Sequence, residues 1–309
     1  MNPGKISLTI GFALVSLIWG STWLAIKIGL ESVPPFIGAA ARFTIAVLLI
    51  AVIVKTRGIR VPFDGDAQKV YLSSSLLTFS IPYALIYWGQ QYIPSGLSSI
   101  LFATYPFLVA IFSHLRLPKE PLSGLKLFGI TLGFVGVILI FSGDISVTTQ
   151  RAFLGMLAIL ASAATQAFNL VTVKKYGRHI HPLAINVVGM SFGLLFLSTL
   201  GLSTEKVSAV VVDEKAIGSV LYLAVFGTVV TFTTFFWLVK HVEAVFLSLT
   251  AFVTPVVAVF LGGIVLGEQL GPHTFAGAGL VLTGILVTNG DDISRYFAKK
   301  NRHGGADRC

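Results

Sequence analysis

Two cations lie inside stretches that are otherwise apolar, and they are the side chains best placed to act on a solute. Arg42 stands about seven residues into a segment that opens at Pro35, and Lys27 about one turn before the end of a segment that opens at Ile6. At 1.5 Å per helical residue, Arg42 would lie roughly 10 Å deep. A charge at the centre of a bilayer costs about 2.5 to 3.5 kcal/mol, so residues of this kind are default functional candidates. Both could attract an anionic group of a substrate. The competing reading has them snorkelling to the interface, with Lys27 pairing with Glu31 one turn on.

Uncharged polar and aromatic residues supply the rest of a possible binding surface. Trp19, Thr22 and Trp23 share one segment, as do Tyr83 and Tyr87, and Tyr105, Thr234, Gln166 and Asn169 lie in others. Tyr83 and Tyr87 are four apart and share a helix face, as do Trp19 and Trp23, so either pair could clasp an amphipathic solute. Mid-span amides need partners, which a polar cavity supplies. Interhelical packing and interfacial aromatic belts are the alternative, above all for Trp88 and Trp237.

The carboxylates are as telling by their absence. All 13 Asp and Glu fall at segment ends, in connections or in tails. A proton-coupled exporter of organic cations, which needs a membrane-embedded acid, is disfavoured. The six histidines are peripheral too, and the single cysteine, Cys309, is in the tail. Hydrolase triads, metal-ligand spacings, phosphate loops and disulfide frameworks are missing, so neither an enzyme nor a metal or cofactor site is expected.

The elements that must position these residues follow from composition. The 309-residue chain is 55% hydrophobic and 11% charged, with mean hydropathy +0.86. That is far below the roughly 25% charge of soluble domains, so lipid must be the solvent. No Asp, Glu, Lys or Arg occurs from Val70 to Leu115, and Gln91-Tyr92-Ile93-Pro94 divides that run. Ten helices are predicted: Ile6–Leu30, Pro35–Val54, Val70–Gln90, Ser95–Leu115 and Leu122–Ser142, then Phe153–Val173, Pro182–Leu202, Ala216–Val239, Ala244–Leu266 and Pro272–Asn289. The first is too long for the apolar core of a cleavable signal. With the N-terminus inside, 17 of the 22 Lys and Arg fall on the cytoplasmic side and three on the other. This places both termini in the cytoplasm. The net charge of +9 is then this bias plus contact with anionic lipid, and no nucleic-acid partner is needed.

The chain also repeats itself. At a shift of 147 to 149 positions Lys27 falls on Lys174, Pro35 on Pro182, Trp88 on Trp237, Pro106 on Pro255, Glu120 on Glu268 and Gly136 on Gly284. Five spans per copy turn the second copy upside down, the mark of an inverted-repeat transporter. The first repeat is placed at 1–146, the second at 147–292, and a basic cytoplasmic tail at 293–309. The matched prolines Pro106 and Pro255 are candidate hinges. Glu120 and Glu268 read as structural, each favouring the positive end of the helix that follows it. Glycines such as Gly129, Gly133 and Gly277 give the last helix of each repeat a thin face for packing, through which a homodimer could form as an alternative to a monomer.

In Trp19-Gly20-Ser21-Thr22, Lys27, Ala41-Arg42-Phe43, Pro106 with Pro-Lys-Glu to Glu120, and Pro255 with Leu-Gly-Glu to Glu268, the chain resembles EamA-type members of the drug/metabolite transporter superfamily. The likeness covers roughly residues 8 to 290. It implies a ten-helix inner-membrane exporter of small metabolites, often amino acids or relatives, working by alternating access. It also implies a central cavity lined by the first, third, fourth, sixth, eighth and ninth helices. A multidrug exporter or an uptake permease of the same fold is the alternative.

Overall fold

The computed structural model describes residues 5–117, 122–142, 150–239, 241, 250–288 and 290, and every regular element among them is helical. Each expected segment holds a helix among the described residues, the ninth from Thr250 onward. The first repeat holds α1 (Lys5–Gly29), α2 (Pro35–Thr56), α3 (Gly65–Gln90), α4 (Ser95–Arg116) and α5 (Gly124–Ser142). The second holds α6 (Gln150–Tyr176), α7 (Pro182–Thr204), α8 (Glu214–Ala224 continuing through Thr231–Val239), α9 (Thr250–Leu266) and α10 (Pro272–Thr288). The first eight are long and apolar enough to cross a membrane, while α9 and α10 are shorter apolar helices. Glu120 lies outside the described residues.

Start signals recur between the repeats. Pro35 and Pro182 open α2 and α7 at the position where a missing N–H does least harm. Asp64 and Asp213 cap α3 and α8, accepting bonds from Ala67 N at 3.0 Å and Ala216 N at 2.8 Å. Outward faces leave Leu48, Val52, Phe192 and Leu195 more than half exposed. Apolar surface of that extent suits lipid rather than water.

Helix contacts obey a two-fold exchange of the repeats. The α3–α6 contact has its counterpart in α8–α1, and α4–α6 in α9–α1; α5–α10, α2–α7 and α4–α9 map onto themselves. The self-mapped pairs run antiparallel. Gly193 of α7 meets Phe43 of α2, while Gly201 meets Ile37. In α5 and α10 the backbones touch: a side-chain carbon on Gly136 would lie 2.5 Å from the Gly277 carbonyl oxygen, and one on Gly284 would lie 2.6 Å from the Gly129 carbonyl. Gly133 in the same helix receives the buried ring of Phe107 from α4.

Candidate functional site

Both α3 and α8 lose α-helical winding in mid-course. Ser75–Ser80 and Val225–Val230 are π-helical, 150 positions apart. A π segment bonds five residues back and widens the helix, a feature found mostly where function demands it. In α8 the hydroxyls follow that spacing: Thr228 donates to the Leu223 carbonyl at 2.9 Å and Thr231 to the Phe226 carbonyl at 2.5 Å.

Arg42 meets the π segment of α8. Its Nε and Nη2 donate to Thr228 Oγ1 at 3.2 and 3.1 Å, and Nη2 to the Gly227 carbonyl at 3.4 Å. Its guanidinium carbon lies 5.2 Å from the centroid of the Tyr83 ring, an arrangement in which the ring face attracts the cation. The side chain is 3% exposed, and among the described residues no carboxylate pairs with it. Snorkelling is therefore not its state. Tyr87, one turn beyond Tyr83, is buried beside it, its hydroxyl facing the guanidinium without a hydrogen bond of good geometry.

The other expected residues divide into groups. Trp19 packs on Phe235 and Phe232 of α8 at 5.1 and 6.1 Å, and the Thr22 methyl approaches Gly227. Trp23 packs on Phe102 at 5.3 Å, and Tyr105 stacks on the same ring at 5.8 Å. Trp19, Thr22, Arg42, Tyr83 and Tyr87 thus converge where α1, α2 and α3 meet α8, and Trp23 with Tyr105 forms a second aromatic group between α1 and α4. Thr234 is half-buried near Gly11, and Gln166 is half-buried with no hydrogen bond among the described residues.

Three of the expected residues have partners within the chain. Lys27 neither pairs with Glu31 nor points free: its ammonium donates to the Gln90 and Ile93 carbonyls at 2.6 and 3.0 Å, closing the C-terminal end of α3. Glu31 instead accepts from Lys215 at 2.5 Å. Asn169 is engaged with the other π helix. Its Nδ2 donates to Thr78 Oγ1 at 2.6 Å and Ser74 Oγ at 3.2 Å, and its Oδ1 accepts from Ser73 at 2.7 Å. Glu268 caps α4 rather than serving α10, accepting from Ser95 N at 2.7 Å, Ser95 Oγ at 3.0 Å and Gly96 N at 3.1 Å.

The paired prolines are not alike. Around Ala103 and Thr104, α4 breaks into Ser95–Phe102 and Tyr105–Arg116, with Pro106 in the first turn of the second piece. A proline lacks the donor and crowds the residue before it, which explains a boundary there. Pro255 lies inside an unbroken α9.

Several contributors were not singled out from sequence. Thr228 and the hydroxyls of Ser73, Ser74 and Thr78 carried no local signal. Asp64 and Asp213 did: they are 149 positions apart, like Trp88 and Trp237. Each cap reaches into the other repeat. Asp213 accepts from Ser32 Oγ at 2.6 Å, and Asp64 meets His179 Nε2 at 3.0 Å. The Ser32 hydroxyl, then the Ala216 amide, hold the Asp213 carboxyl below its ordinary range; the Ala67 amide, then His179, do so for Asp64. Glu205 accepts from Phe36 N and Ile37 N, both at 2.9 Å, and so caps α2.

Known proteins share this architecture. The description of the EamA-like transporter family matches residues 7–142 and again 153–290. The chain is similar to the transporter YoaV of Bacillus subtilis, at 28% identity over 91% of this chain and 96% of that one. It is also similar to the inner membrane transporter YedA of Escherichia coli K12, at 29% identity over 90% and 89%. A crystal structure at 18% identity covers 92% of this chain and 96% of its own with a TM-score of 0.65, a likeness of fold alone.

Proposed function

Because the chain belongs to the EamA-like transporter family, we propose that it exports small metabolites, amino acids or related compounds first among them, across the cytoplasmic membrane by alternating access. In this reading all ten helices cross and both termini are cytoplasmic, as the distribution of Lys and Arg favours. The inner-membrane placement is supported by the Escherichia coli relative, which is named as an inner membrane transporter. The observation that carries the mechanism is the two-fold exchange of helix contacts, with equivalent helices antiparallel. Two like halves of opposite orientation can swap conformations, and the swap turns an opening on one face into an opening on the other.

The substrate path runs along α1, α3, α4, α6, α8 and α9. Trp19, Thr22, Trp23, Tyr83, Tyr87, Tyr105, Gln166 and Thr234 provide its polar and aromatic surface, with Arg42 as its charge. Lys27 and Asn169 hold α3 in place rather than meeting the cargo. The break before Pro106 is the hinge; Pro255 lies inside α9 without dividing it. The test is efflux from vesicles containing the purified chain and loaded with a mixed pool of labelled amino acids. Selective loss of some of them, absent from empty vesicles, is the expected result. A pool that leaks identically with and without the protein would sink the reading. Efflux of cationic dyes in its place would favour the multidrug alternative.

A further inference from the structure

We propose that the Arg42 guanidinium receives a carboxylate of the transported solute, and that Thr228 and Gly227 hold it only while the site is empty. The inference rests on the transporter reading above and names the anionic part of the cargo.

Charge balance comes first. The guanidinium is buried among neutral oxygens and aromatic rings, with no carboxylate partner among the described residues. An arginine carries five N–H donors in a planar fork suited to a carboxylate. Only Nε and Nη2 donate to α8, and a further acceptor beside the guanidinium is the neutral hydroxyl of buried Tyr87. A solute carboxylate would supply the missing negative charge and use the idle donors.

The repeat supplies a control. At the position equivalent to Arg42, α7 has Gly189, and the gap is filled by Phe79 from the π segment of α3; a carbon on Gly189 would lie 2.7 Å from that ring. One π junction therefore packs with no charge at all. Joining α2 to a π segment does not require arginine, so the cation at the other junction needs a different explanation.

The present partners are also easy to leave. Thr228 Oγ1 already donates to the Leu223 carbonyl, so losing Arg42 leaves the hydroxyl bonded. Packing beside Tyr87 is incomplete: a cavity of about 10 Å³, lined by Gly38, Tyr87 and Leu223 among others, lies between α1, α2, α3 and α8. That is room for about one water, so a carboxylate enters only as the helices part. Its arrival would release Gly227 and Thr228, and with them the π segment of α8.

The full chain is reconstituted in vesicles and efflux is measured for uncharged-side-chain L-amino acids and for the same compounds with the carboxyl converted to a carboxamide. Acids should leave faster than amides by about tenfold to a hundredfold, the span expected for a lost charged hydrogen bond. In Arg42→Met the preference should vanish while the melting temperature does not fall. Equal efflux of acid and amide from the wild type would overturn the inference and leave transport intact. Preference retained in Arg42→Met would overturn it too. Wild-type vesicles that release neither would overturn the amino-acid cargo itself. The wild-type comparison decides the question whether or not the variant folds.

Discussion

The two π junctions are built on one plan and filled with opposite chemistry. At the α3–α7 junction an aromatic ring, Phe79, lies on two glycines, Gly189 and Gly193. At the α2–α8 junction a guanidinium lies on a glycine carbonyl and a threonine hydroxyl. The remaining polar groups reverse the pattern. The Phe79 side is clamped by Asn169 through three hydroxyls of α3, whereas Thr228 and Thr231 of α8 donate to carbonyls of their own helix. Shared geometry with unlike contents separates two jobs. What recurs in both repeats (proline starts, aspartate caps, π winding) shapes the machine. What occurs once is free to recognise cargo.

Three experiments would break or sharpen this contrast. The largest effect should come from Phe79→Ala. The ring is 2% exposed, and emptying its place against two glycines should cost about 3 to 5 kcal/mol. Melting of the purified protein in detergent would show it, and a change below about 1 kcal/mol, the size of an ordinary substitution, would mean that Phe79 does not anchor the α3–α7 junction. Asn169→Ala should come next, at about 1 to 3 kcal/mol for the hydroxyls left unpaired. Its effect should fall on stability, with the substrate concentration for half-maximal efflux unchanged. A raised half-maximal concentration at unchanged stability would move Asn169 into the binding surface.

The smallest effect concerns acid. Asp64 and Asp213 cap as carboxylates, and both are held below the ordinary value of 3.8. A carboxyl whose folded value is depressed contributes stability that is present above its unfolded value and disappears as pH falls through the folded one. Melting should therefore be indifferent to these two groups near neutrality and decline below about pH 4. The double variant Asp64→Asn, Asp213→Asn should lose part of that decline. An unchanged acid slope would show that the caps do not respond as a pair.

Much of the fold was legible because its signals are local. Apolar runs, the charges that end them, and the 147- to 149-residue shift of matched residues mark the spans and the duplication. The site was legible in part. Arg42 stands out in any reading because nothing else charged lies so deep in a span. Its partners do not, since Thr228 becomes one only through the register of α2 against α8. Asn169 looked like a cargo contact because its partners lie more than ninety positions away in α3. Glu268 looked like a cap for the helix after it because sequence cannot show that the start of α4 arrives beside it. Pro106 and Pro255 share a local pattern, yet only one breaks its helix, so tertiary contacts decide what a proline does.

The contact between α5 and α10 has a mechanical meaning. At Gly129, Gly136, Gly277 and Gly284 the carbonyl of one helix lies where a side chain of the other would begin, so at these points backbone meets backbone. Sliding by one residue would drive a bulkier neighbour into backbone. The pair is a spine, and in the proposed alternating cycle the other helices would open on either face by turning about it, like the covers of a book.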